Sequence, residues 1–172
     1  VKWVADRDWD YRLVFVPKKD LSAKSFRKLC FYGIDTYATV ILNGQKIIEA
    51  DNMFCKWEKN VSDILIDGEN ELIIRFRSPI KEVLPILNKR DYTLPADNDK
   101  AGGVSPYTRK APYHYGWDWG PCLVTSGIWK NIDLIGWDSW FVDELFINQV
   151  EVSKNIAKLE LEAQIISDTE QG

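Results

Sequence analysis

The 172 residues predict an all-β chain of antiparallel strands, and three observations carry that prediction. Aromatic residues make up 13% of the chain, and together with β-branched residues they fall in short runs bounded by turn formers. Two such runs, Thr36-Tyr37-Ala38-Thr39-Val40-Ile41-Leu42 and Gln45-Lys46-Ile47-Ile48, are joined by Asn43-Gly44, a dipeptide that readily takes positive φ at both positions and so predicts a type I′ hairpin. In Glu71-Leu72-Ile73-Ile74-Arg75-Phe76-Arg77, the residues Leu72, Ile74 and Phe76 alternate with mostly polar neighbours, the period of a strand with one wet face.

In chain order, further strands are predicted over residues 12–16, 27–32 and 128–135, and the 71–77 alternation extends back to Asn70. Sheets with one solvated face pair antiparallel more naturally than parallel. Only Pro79–Leu87 reads as helical. Ser78 is a candidate N-cap, Pro79 suits the first helical position, and Ile80, Val83, Leu84 and Leu87 recur at i, i+3, i+4, i+7. Pro85 argues against anything longer. Over residues 91–121 periodicity disappears although aromatics remain, and a run of that length in a compact domain signals either function or disorder. Alternation resumes in Leu145-Phe146-Ile147 and Leu159-Glu160-Leu161-Glu162-Ala163. Residues 142–172 are therefore expected to open a second β domain, cut short, after a first domain over residues 1–141.

Composition narrows the function classes. Charged residues interrupt every apolar run well short of the ~18 residues a membrane helix needs, so no membrane span is expected. The formal net charge is −4 and no block of Lys and Arg appears, so a nucleic-acid partner is not expected. Cys30, Cys55 and Cys122 are too few and too scattered for a disulfide framework or a paired-cysteine zinc site, and are expected as buried thiols. With His114 as the single histidine and Asp97-Asn98-Asp99 lacking the Gly and Glu of a calcium loop, no metal or other cofactor is expected. His114 has no obvious Ser or Cys partner and reads as a hydrogen-bonded interior or boundary residue. Arg109-Lys110 could steer an anion or pair with Asp118, but adjacent basic residues in a loop are more often solvated.

The segment that could carry chemistry lies between Tyr107 and Trp119, where Tyr107, Tyr113, Tyr115, Trp117 and Trp119 fall within thirteen residues, against about two expected from the 13% background. At its centre stands Gly116-Trp117-Asp118-Trp119-Gly120-Pro121. An aromatic ring can stack on the C–H face of a sugar while a neighbouring carboxylate accepts hydrogen bonds from its hydroxyls, and the flanking Gly and Pro allow a tight, fixed turn. The competing reading is structural: large aromatics fill cores, and an Asp beside Gly is a common turn former. Both readings stand on these residues alone.

The chain resembles the amino-terminal, sugar-binding-like domain of β-mannosidases in glycoside hydrolase family two. The resemblance runs in the family's order over about residues 3–137. It rests on Trp9-Asp10-Tyr11, Gly33-Ile34-Asp35-Thr36-Tyr37-Ala38, Leu42-Asn43-Gly44, Asp51-Asn52-Met53-Phe54, Gly68-Glu69-Asn70-Glu71-Leu72, Ser78-Pro79, Arg109-Lys110-Ala111, Gly116-Trp117-Asp118-Trp119-Gly120-Pro121 and Gly127-Ile128-Trp129. The Leu-Asn-Gly and Gly-Glu-Asn-Glu-Leu segments look like family-two enzymes generally, and the Trp-Asp-Trp-Gly-Pro segment like the mannosidase branch.

The resemblance implies an antiparallel jelly-roll β-sandwich of the galactose-binding-domain-like type, with residues from 142 onward opening an immunoglobulin-like β-sandwich. It also implies a catalytic (β/α)₈ barrel elsewhere in the same polypeptide as this domain's partner. Retaining family-two enzymes use two glutamates, an acid/base and a nucleophile, roughly 5–5.5 Å apart. Both are expected in the barrel, so no catalytic residue is expected in this chain. Members usually carry an early jelly-roll strand before the segment matching Trp3, whose absence is expected to leave a ladder edge exposed. By resemblance, Trp117 and Asp118 bind a terminal β-mannoside, from an oligosaccharide or glycan, and Trp119 anchors their loop to its own domain. An exported or lysosomal setting is implied ahead of a cytoplasmic one. Two alternatives to the mannosidase domain stay open: a freestanding carbohydrate-binding module, and a domain of a family-two β-galactosidase or β-glucuronidase.

Overall fold

The computed structural model describes residues 2–167. Residues 168–172, the last five of the expected second domain, lie outside them. The fold is the all-β antiparallel sandwich the sequence predicts. One sheet has the order β1 (Trp9–Phe15), β7 (Asn70–Phe76), β4 (Tyr37–Leu42), β5 (Gln45–Asp51). The other has the order β6 (Trp57–Asn60), β2 (Phe26–Phe31), β9 (Ile132–Trp137). A short pair, β3 (Ile34–Asp35) and β8 (Gly127–Ile128), and a long hairpin, β10 (Trp140–Val152) with β11 (Ala157–Ser167), complete the strands.

Leu29 and Phe31 of one sheet meet Val40, Leu42, Ile48, Ile74 and Phe76 of the other in a single buried core. Alternation is what puts them there: along β4 the burial pattern switches at every residue, and along β7 Leu72, Ile74 and Phe76 turn inward. The β4–β5 hairpin turns through Asn43 (φ 50°) and Gly44 (φ 81°), the positive values a type I′ turn requires. Asn43 also ties that turn to β7: its Oδ1 accepts from Glu71 N at 2.9 Å, and its Nδ2 donates to Asn70 Oδ1 at 2.8 Å. Asn70, fully buried, donates in turn to the Ile66 and Gly68 carbonyls. The Leu42-Asn43-Gly44 and Gly68-Glu69-Asn70-Glu71-Leu72 segments thus meet in one hydrogen-bonded knot.

The single run expected over residues 128–135 is two strands. β8 pairs with β3 and β9 with β2, and the break at Trp129-Lys130-Asn131 faces the break at Tyr32-Gly33. Tyr32 N to Asn131 O (3.1 Å) and Trp129 N to Gly33 O (3.1 Å) carry the ladder across it, while the half-exposed Trp129 ring lies under the Lys130 ammonium at 4.4 Å.

The helix α2 runs over Pro79–Leu87, with Ser78 Oγ accepting from Lys81 N and Pro79 in the first turn. It follows α1, one turn over Lys19–Ser22 that the sequence reading did not anticipate. Pro85 is tolerated inside α2 because it lies on the exposed side, where water can meet the Lys81 carbonyl that its missing N–H leaves over. No helix among the described residues is long and apolar enough to cross a membrane. Of the three cysteines expected as buried thiols, only Cys30 is fully buried. Cys55 is exposed in the turn after Met53, which puts it outside the core, and Cys122 is half-buried.

Candidate functional site

Residues 91–121 contain no strand, only two short 3₁₀ turns, Ser105–Tyr107 and Pro112–Tyr115. They are nevertheless held by a small core of their own, in which Val104, Tyr115 and Val124 pack against Val83 of α2, with Tyr37 and Tyr107 at its margin. Asp99, from the motif that faintly resembled a calcium loop, spends its carboxylate on the backbone N–H groups of Ala101 (2.6 Å) and Ser105 (2.8 Å). It is a turn former. Among the described residues no three His, Cys, Asp or Glu side chains gather as a metal site.

The approach to the aromatic loop is fixed against the end of β5. Met53 N donates to Arg109 O at 3.0 Å, Ala111 N to Met53 Sδ at 3.0 Å, and the Arg109 guanidinium pairs with Asp51 at 2.9 Å. Lys110 points the other way. Its ammonium is fully buried and hydrogen-bonds the equally buried carboxylate of Asp35 on β3, which also accepts from Thr36 Oγ1. The expectation that Arg109 and Lys110 are both solvated, or reach Asp118, is therefore corrected. The backbone turns tightly at this point, with Lys110 N donating to Thr108 O at 2.8 Å, and one of the pair goes to the surface acid while the other goes to the interior acid. Burial pushes the Lys110 pKa below its ordinary value despite the attraction of Asp35.

Beyond Ala111 the chain turns through Pro112–Tyr115 and buries Tyr115 completely. Gly116 then takes φ 119°, a conformation closed to most L side chains, and a Cβ there would lie 3.0 Å from Asn98 O. Leu123 N donates to His114 O at 3.0 Å and closes the neck of a loop whose outer part is Trp117-Asp118-Trp119-Gly120-Pro121.

Trp117 is 44% exposed and meets Trp119 edge to face, ring centroids 6.0 Å apart. An open, mostly apolar hollow of about 620 Å³ lies beside them, lined also by Tyr113, His114, Leu123 and Thr125. His114 stands 3.3 Å from Thr125 Oγ1 and 3.8 Å from the Asp35 carboxylate. Burial, and after it the Lys110 charge, push the His114 pKa below the usual imidazole value, so this wall of the hollow is neutral at pH 7. Asp118 is exposed, and among the described residues no hydrogen bond or ion pair engages its carboxylate. Trp119, expected to anchor the loop to its own domain, is 84% exposed. Its ring leans on Trp117, and Tyr115 and the neck hydrogen bond hold the base of the loop.

The motif around Trp117 and Asp118 thus proves to be an outward-facing aromatic loop rather than core filling. A family model described as glycosyl hydrolase 2 galactose-binding domain-like matches residues 1–130. The chain belongs to that family. Among its relatives, the β-mannosidase B of Thermothelomyces thermophilus is 35% identical over 98% of this chain, and that of Emericella nidulans 39% identical over 77%. The matched segments are 19% and 16% of those proteins, so the galactose-binding-like domain described here spans less than a fifth of the relatives' length. The crystal structure of a β-D-mannosidase from Dictyoglomus thermophilum is similar with a TM-score of 0.86 at 40% identity, covering 97% of this chain and 20% of that one. A Bifidobacterium dentium β-glucuronidase matches with a TM-score of 0.64 at 18% identity over 92% of this chain and 27% of its own, a likeness of fold alone.

The pairing of Asp35 with Lys110 is what sequence reasoning missed at this site. The available signal was an acid inside the otherwise apolar run Gly33-Ile34-Asp35-Thr36-Tyr37, which burial would oblige to find a cation.

Proposed function

We propose that this chain is the amino-terminal, non-catalytic domain of an exo-acting, retaining β-mannosidase, and that the loop bearing Trp117 and Asp118 forms part of the pocket for the terminal mannose. The observation that carries this reading is a carboxylate held at the tip of an anchored aromatic loop with no partner of its own among the described residues. A charge in that setting is available to a ligand.

Asp118 would accept hydrogen bonds from sugar hydroxyls away from the scissile bond, converting remote binding into orientation at the reacting carbon. Trp117 would stack on or wall the ring and exclude water. The acid/base and nucleophile glutamates would come from a barrel in the same polypeptide, which protonates the glycosidic oxygen, forms a glycosyl-enzyme and admits water. The 35–40% identity to proteins named β-mannosidase supports this choice over other family-two specificities. The β10–β11 hairpin, which pairs only with itself among the described residues, supports reading residues 142–172 as the start of a second, immunoglobulin-like domain.

The test is Asp118→Ala in the full-length polypeptide, assayed on p-nitrophenyl β-mannoside. Loss of two hydrogen bonds to a charged acceptor, each worth about 1.5–3 kcal/mol, is expected to lower kcat/KM by roughly 10²–10⁴-fold. Unchanged kinetics would remove the sugar-holding role.

A further inference from the structure

We propose that Lys100 is a positioning residue for the sugar-holding loop: a clasp that sets where Trp117 and Asp118 stand, without itself touching sugar. The inference rests on the reading of that loop given above.

Lys100 grips the loop with both ends of the residue. Its backbone N–H donates to Tyr115 O at 2.8 Å, at the last anchored residue before the excursion. Its ammonium donates to Trp117 O at 2.6 Å and lies 3.5 Å from Gly120 O, so the carbonyls at the two ends of Trp117-Asp118-Trp119-Gly120 converge on one cation. Between these points its aliphatic stem runs over Gly116, where an added Cβ would come within 3.2 Å of Cγ and Cδ. The absence of a side chain at Gly116 and the presence of a long one at Lys100 are two halves of one fit.

Two further features separate this from incidental contact. Among the described residues Lys100 forms no ion pair with a carboxylate, so its charge is spent on the loop's backbone. Its own segment is stiffened by Asp99, whose carboxylate holds the N–H groups of Ala101 and Ser105, so the clasp is mounted on a fixed base. Lys100 also lines a separate hollow with Ala5, Ile80 and Val124, whereas it does not line the hollow bordered by the Trp117 and Trp119 rings. A displacement of about 1 Å in a group that orients substrate can lower the rate on the order of a hundredfold, which is the scale on which such a clasp would act.

The experiment is a double-mutant cycle in the full-length polypeptide, comparing kcat/KM on p-nitrophenyl β-mannoside for the native protein, Lys100→Met, Asp118→Ala and the double variant. Methionine keeps the stem over Gly116 and removes only the donors. Lys100→Met is expected to lower kcat/KM by about 10- to 100-fold, and to add less than about threefold in the Asp118→Ala background, because a loop without its carboxylate has little left to position. The same loss in both backgrounds would assign Lys100 to general stability and overturn the proposal, as would native kinetics for Lys100→Met while Asp118→Ala is impaired. Native kinetics for Asp118→Ala would instead overturn the underlying reading of the loop, and the clasp with it. If Lys100→Met does not yield folded protein, Lys100→Gln goes through the same cycle under the same criteria, since its uncharged amide keeps the stem over Gly116 but ends one atom short of the position from which the ammonium reaches Trp117 O and Gly120 O.

Discussion

Asp118 and His114 sit four residues apart, and the fold treats their charges in opposite ways. Asp118 is left in solvent at the loop tip, whereas His114 is tucked beside Lys110, Asp35, Tyr113 and Thr125. The Trp-Asp pair was legible in the sequence because aromatics and turn residues are dense there, and density is a local signal. His114 was legible only as a boundary residue, because what shifts its titration is its burial in the folded chain and, after that, the charge of Lys110, whose own partner Asp35 lies 75 residues away. Burial first, then the Lys110 charge, hold its pKa below the ordinary imidazole value. Below about pH 6.5 the unfolded chain therefore takes up a proton that the folded chain refuses, and stability falls as pH drops from there toward the lower folded value. His114 is the single histidine, so no other side chain of ordinary pKa titrates in the middle of that window. His114→Gln is expected to flatten the change in stability between pH 7 and pH 5, read from urea unfolding midpoints. Parallel pH dependences for the two proteins would show that the imidazole does not titrate this way.

Elements built on periodicity were the readable ones. The β4–β5 hairpin, β7 and α2 follow from a dipeptide, an alternation and a capped apolar stripe, each contained within a dozen residues. The segment over residues 91–121 was not readable as structure, because its order comes from contacts with other elements: Tyr115 and Val104 against Val83 of α2, Arg109 against Asp51, and above all Lys110 against Asp35 of β3. The same holds at the base of β10. There Lys28 of β2 pairs with Glu58 and with Asp143; burial, the largest single influence, pulls its pKa down, but the hydrogen bonds and charges of the two acids together raise it. The Lys110–Asp35 pair gives the sharper expectation, since both side chains are inaccessible. Lys110→Met would strand a buried carboxylate and is expected to cost about 3–5 kcal/mol of unfolding free energy. Adding Asp35→Asn should recover much of that loss, because the uncompensated charge goes with it. Denaturant unfolding of the two variants checks both statements. Equal destabilisation with and without Asp35→Asn would mean that packing, not charge, sets the cost.

At the scale of the whole molecule, burial is uneven. The sandwich and the small core beneath the aromatic loop hide most of their apolar residues, while the β10–β11 hairpin leaves Leu145, Ile147, Leu161 and Ile165 on one face, and Phe146 on the other, each more than half exposed. Alternation made these strands predictable, but alternation in a two-stranded ribbon says nothing about which face is covered. Two strands alone have no second layer to bury against. Contiguous apolar surface of this kind is adhesive in water, and a net charge of −4 opposes association only weakly. This chain is therefore expected to self-associate through the hairpin. Ending it after Glu144 should abolish that association without loosening the sandwich, because Asp143 stays on Lys28 and Phe141 stays stacked on Trp137, ring centroids 5.3 Å apart. Sedimentation velocity of both forms in the micromolar range decides it. A concentration-dependent shift in the longer form alone would locate the adhesive surface on residues 145–167, equal shifts in both would move it to the sandwich, where β1 leaves Leu13 and Val14 exposed, and two monomers would show that the hairpin is not adhesive.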